Sequence, residues 1–79
     1  MTLSKGSQVL LSNGWYATLL EKPRNVLWCL AQVEGFQNEA GSVLIKDIVG
    51  VKIEGLKLPG DIKTTEGIFR PINQERHVV

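Results

Sequence analysis

One cysteine (Cys29) and one histidine (His77) are all that the 79 residues offer in the way of soft metal ligands or imidazole bases. A single thiol excludes an internal disulfide, and one Cys with one His cannot complete the ligand set of a structural zinc site. Catalytic triads, zinc hydrolase centres and general-acid pairs lack parts for the same reason. Charge of one sign is lacking too. Nine Lys and Arg stand against eight Asp and Glu, a formal +1, which gives no strong pull toward nucleic acid or an anionic membrane. No apolar run approaches the ~18 residues that span a bilayer. The eight glycines fall into neither the dinucleotide nor the phosphate-loop spacing. The opening stretch Met1-Thr2-Leu3-Ser4-Lys5-Gly6 has no basic, apolar, then small-residue order, so no export signal is expected. With a free thiol, that points to a reducing, cytoplasmic setting. The expectation is a folded, non-enzymatic domain with no catalytic residue, no metal, no cofactor and no membrane partner.

What is present is apolar sequence in short runs parted by turn residues. Gln8-Val9-Leu10-Leu11 and Trp15-Tyr16-Ala17-Thr18-Leu19-Leu20 flank Ser12-Asn13-Gly14. Asn-Gly between such runs predicts a hairpin with a type I′ turn, which needs positive φ at both central residues. Glu21-Lys22-Pro23-Arg24-Asn25 is polar and carries a proline that cannot donate to a ladder. Val26 to Val33 is the longest apolar run, and Ser42 to Ile45 is a fourth short strand. Lys46-Asp47-Ile48 reads as a single helical turn with Asp47 as its cap, and Val49 to Glu54 alternates with period two. Phe36 leads into Gln37 to Gly41, which reads as a turn or loop. The fold class is therefore all-β, a small five-stranded antiparallel barrel over residues 5–54. Residues 55–79 form a C-terminal extension, either an edge hairpin around Ile62 to Pro71 or a partly ordered tail that holds His77.

Splitting each strand into two faces exposes a surplus. Val9, Leu11, Ala17, Leu19, Leu27, Cys29, Ala31, Val33, Val43, Ile45, Val51 and Ile53 fill one interior. Leu10, Tyr16, Leu20, Val26, Trp28, Leu30 and Leu44 then face outward. Contiguous apolar patches are unusual on soluble monomers, and a domain this small buries only ~60% of its unfolded surface. Two covers are expected: a partner chain, most simply a second copy, or the extension folding back through Ile62, Ile68 and Phe69. The predicted interface is Tyr16, Leu20, Trp28, Leu30 and Leu44, anchored by its aromatics. An alternative partner is nucleic acid, with Trp15, Tyr16, Lys22 and Arg24 supplying stacking and charge. Cys29, mid-strand with no cationic neighbour in sequence, reads as a core residue, and Asp61 as a turn residue.

The cadence Lys5-Gly6-Ser7-Gln8-Val9, Asn13-Gly14, Ala17-Thr18-Leu19, Val33-Glu34-Gly35 and Val43-Leu44-Ile45-Lys46-Asp47-Ile48 resembles an SH3-like small barrel of the Tudor-type plan. That resemblance implies strands rolled into a partly open barrel with a short helical turn before the last one, and it licenses no particular ligand. Gly41-Ser42-Val43-Leu44-Ile45-Lys46 also resembles the Gly-Ser-Val-Gln-Ile-Tyr stretch of the plasmid-borne type II dihydrofolate reductases. Those are SH3-like tetramers whose Gln, Ile and Tyr line a central pore. Leu44 and Lys46 replace the Gln and the Tyr, so the likeness implies barrel fold and homo-oligomer without the reductase activity.

Overall fold

A computed structural model describes residues 3–35 and 40–72 of the chain. Phe36, the loop positions 37–39 and His77 lie outside the described residues, and so do 73–79 as a whole. The first pair of strands, β1 (Gln8–Leu11) and β2 (Tyr16–Leu19), forms the expected hairpin. Its turn is not type I′. Gly14 alone has positive φ, +92°, while Asn13 stays at negative φ. The Gly14 N–H donates to the Leu11 carbonyl (2.9 Å) and Leu11 N–H to the Trp15 carbonyl (2.8 Å). That is a three-residue loop, a tight turn followed by a left-handed glycine. Asn13 Oδ1 accepts from the Trp15 N–H at 2.9 Å and fixes the exit.

The chain continues through β3 (Trp28–Val33), β4 (Gly41–Leu44), a 3₁₀ turn (Ile45–Asp47), β5 (Ile48–Ile53), β6 (Ile62–Thr64) and β7 (Gly67–Pro71). The helical turn starts one residue earlier than its sequence suggests. Leu44 precedes it, with no side-chain cap, and the Asp47 carbonyl instead accepts from Ser12 N–H at 2.8 Å. β3 starts at Trp28 and not at Val26, because Asn25 Oδ1 accepts from both Leu27 N–H (2.7 Å) and Trp28 N–H (3.0 Å) and holds the preceding residues in a turn. Leu27, expected in the core, is consequently 66% exposed.

All seven strands belong to one antiparallel sheet in the order β4-β3-β2-β1-β5-β7-β6. This corrects the five-stranded barrel. β7 occupies the edge of β5 along Gly50↔Pro71 to Ile53↔Ile68, so β5 has no free side left with which to close on β4, and the sheet stays open. The C-terminal hairpin is thus part of the sheet, with β6 as one edge and β4 as the other.

One face of β1 to β5 is folded onto a single core of Val9, Leu11, Ala17, Leu19, Cys29, Ala31, Val43, Ile48 and Val51. Val33 and Ile45 pack at its margin, half-buried. Ile48 joins it through a bulge. Val9 pairs with Val51 and Leu10 with Gly50, yet Leu11 pairs with Ile48. Val49 is the extra residue, which turns Ile48 and Val51 to the same face despite their odd spacing.

Buried residues also occur on the opposite face. Leu10, expected outside, is buried, and Phe69 is 1% exposed, but neither belongs to the main core. Phe69 contacts Tyr16 with ring centroids 5.5 Å apart. The two rings come from strands three places apart, about 14 Å in a flat sheet, so the sheet must bend and the space between them stay open. Gly50 keeps it open: a Cβ there would lie 3.2 Å from Phe69 Cβ and 3.3 Å from the Arg70 carbonyl oxygen.

Candidate functional site

The outward apolar residues fall into two groups at opposite ends of β3. Trp28 and Leu44 are cross-strand partners, and Leu30 stands opposite Ser42. Leu20 adjoins Leu30 by donating its N–H to the Leu30 carbonyl at 3.0 Å. Trp28 is 43% and Leu44 47% exposed, and Leu20 and Leu30 are exposed beside them. These four predicted interface residues therefore form one patch at the β4 edge. Exposed Leu27 precedes it in the chain, and a cleft of about 300 Å³ lined by Glu21, Arg24, Asn25, Trp28 and Leu30 borders it. Arg24 pairs with Glu21 at 3.4 Å on the surface.

Tyr16, the fifth predicted interface residue, is not in that patch. Its carbonyl accepts from Glu34 N–H at 2.9 Å, at the far end of β3. Six residue steps of extended chain separate Glu34 from Trp28, about 20 Å. Tyr16 is half-buried against Phe69 instead. Of the two covers expected from sequence, the extension folding back is present over part of the face. The C-terminal hairpin covers the Leu10–Tyr16 end, and the Trp28 end is left open.

The set proposed for nucleic acid is dispersed. Trp15 and Tyr16 are consecutive, so they point to opposite faces. Lys22 and Arg24 follow the other end of β2. The four do not share a surface. Cys29 is a core residue, as its sequence context implies: it is fully buried, its Sγ–H donates to the Glu21 carbonyl at 3.2 Å, and burial pushes the thiol up, with the Glu21 charge adding to it. A raised thiol is a poor nucleophile.

A second concavity lies over the Tyr16–Phe69 pair, a groove of about 310 Å³. Its floor is a row of outward side chains, one from each successive strand. Gln32 is paired with Thr18 and Thr18 with Gln8. Gln8 adjoins Lys52, since Val9 pairs with Val51, and Lys52 is paired with Phe69. Glu34 and Glu66 stand at its rim. Sequence reading missed this row because Gln8, Thr18, Gln32 and Lys52 look like ordinary solvated positions until the register aligns them.

Asp61 is more than a turn residue. It accepts from Leu58 N–H at 2.9 Å and holds the Arg70 guanidinium through Nε (3.0 Å) and a terminal nitrogen (2.8 Å). Those bonds keep its carboxyl at about 2, with the Arg70 hydrogen bonds the main cause. Among the described residues no group of three or more His, Cys, Asp or Glu is placed to hold a metal, and no helix is long and apolar enough to cross a membrane. Comparison with family models, curated proteins and solved structures finds no match.

Proposed function

We propose that the chain is a small β module for protein–protein contact that associates first with a second copy of itself, through Leu20, Trp28, Leu30 and Leu44. The order β4-β3-β2-β1-β5, with a 3₁₀ turn between β4 and β5, supports an SH3-like plan for residues 5–54, to which β6 and β7 add a hairpin. The carrying observation is the exposed Trp28–Leu44 pair on a sheet whose other apolar end is already covered by its own hairpin. Each side chain leaves more than two-fifths of its surface in solvent. Burying a cluster of one aromatic and three leucines removes apolar area worth about 25 cal/mol per Å² from water, and a central tryptophan is a frequent anchor of such contacts.

The test is mass in solution. Sedimentation of the full chain should show association that strengthens with concentration. Trp28→Glu and, separately, Leu44→Glu should sediment as monomers with an unchanged far-ultraviolet spectrum, since both residues are exposed. A wild-type chain that stays monomeric at high protein concentration overturns the proposal, as does a Trp28→Glu variant that keeps the wild-type mass.

A further inference from the structure

We propose that the groove over Tyr16 and Phe69 is a binding site for a neutral polyhydroxylated ligand, a short saccharide, independent of the Trp28 patch. Three observations carry it. The first is the row Gln32, Thr18, Gln8 and Lys52, positions set side by side at the interstrand pitch of ~4.8 Å, which carry an amide, a hydroxyl, an amide and an ammonium, the last laid toward Gly67. It spans β3, β2, β1 and β5 without interruption. Amides that both donate and accept suit vicinal hydroxyls, which do the same. The second is the apolar wall. Phe69 is fixed by Gly50, and Tyr16 leans on it at 5.5 Å. Phe69 itself is enclosed, so the half-buried Tyr16 ring is the one that offers surface to the C–H face of a sugar ring.

The third is charge, which decides between ligand classes. Lys52, Glu34 and Glu66 all line the groove, and among the described residues none of them forms an ion pair. An anion would meet two carboxylates, and a cation would meet the ammonium. A neutral ligand with many hydroxyls satisfies all three, donating to Glu34 and Glu66 and accepting from Lys52. At about 310 Å³ the groove is at the small end of ligand sites, which fits one or two sugar rings.

The experiment titrates the ¹⁵N-labelled full chain with glucose, galactose, mannose, N-acetylglucosamine, maltose and cellobiose, following amide and side-chain amide resonances. At least one sugar should give saturable shifts centred on Gln8, Thr18, Gln32 and Lys52. Gln8→Ala and Glu34→Ala, both at exposed positions, should each weaken binding roughly tenfold. Trp28→Glu should bind as wild type whatever its mass, so the outcome is separable from self-association. No saturable shift with any of these sugars overturns the proposal. So do shifts centred elsewhere, and so does a response to spermidine or citrate without one to the sugars.

Discussion

Asp61 and Arg70 meet through two hydrogen bonds, and the Asp61 side chain is almost fully enclosed at 3% exposure. Enclosure of one partner raises the cost of losing the other, because a charge left alone there has no solvent to replace it. The Asp61 carboxyl is held at about 2, below the unfolded value near 3.9. Its contribution to stability is therefore complete above about pH 4 and is lost as the pH falls from there through about 2. Thermal melts across that window should show wild type losing stability as acid is added. Asp61→Asn should be less stable than wild type at neutral pH and should respond less to acid. Parallel acid slopes in the two proteins would remove the pair from the account.

At the scale of elements, the β6–β7 hairpin is tied to the rest by Phe69. Phe69→Ala should destabilise the chain by about 3–5 kcal/mol, the range for a buried aromatic removed without collapse of its site. Urea unfolding followed by fluorescence measures this, and a loss below 1 kcal/mol (a small fraction of that ~3–5 kcal/mol) would mean that the hairpin is only loosely attached. The faces of the strands are legible in sequence where a polar residue marks one side, as Thr18 does in Tyr16 to Leu19 and Gln32 in Cys29 to Val33. Legibility stops where a run is apolar throughout. Ile48-Val49-Gly50-Val51 gives no hint of which residue is the extra one, so the bulge and the burial of Ile48 are set by pairing with β1. Leu27 fails in the opposite way: it sits in an apolar run but precedes the strand, because two hydrogen bonds to Asn25 decide where extension begins. The patch was readable because Trp28, Leu30 and Leu44 alternate with core residues. Removing Tyr16 from it needed the partner strand, since Phe69 lies 53 positions away in the chain.

For the whole molecule, the sequence surplus of apolar side chains is met in two ways at once, by a hairpin over one end of the face and by open surface at the other. Residues 55–79 should therefore be required for a stable fold. A chain ending at residue 54 uncovers Leu10 and Tyr16 together with the β5 edge that β7 now occupies. It should lose its cooperative thermal transition and bind the dye ANS strongly, as states without fixed packing do. A truncated chain that melts like the full one and leaves ANS dark would make the hairpin an appendage.

Val49 sets how the chain can vary in length. Its extra step in β5 brings Ile48 under the sheet while Val51, Ile53 and all of β7 keep their own sides. Removing that one residue would make the strand regular and leave Ile48 and Val51 two positions apart, still on one face. The core would keep Ile48 opposite Leu11, and Phe69 would keep its place opposite Lys52. Related chains could gain or lose residues between β2 and β3, or between β5 and β6, at little cost. Within β5 only the bulge position is free to go, and kinship to this fold would show as a segment with or without that one residue before the glycine that Phe69 rests on.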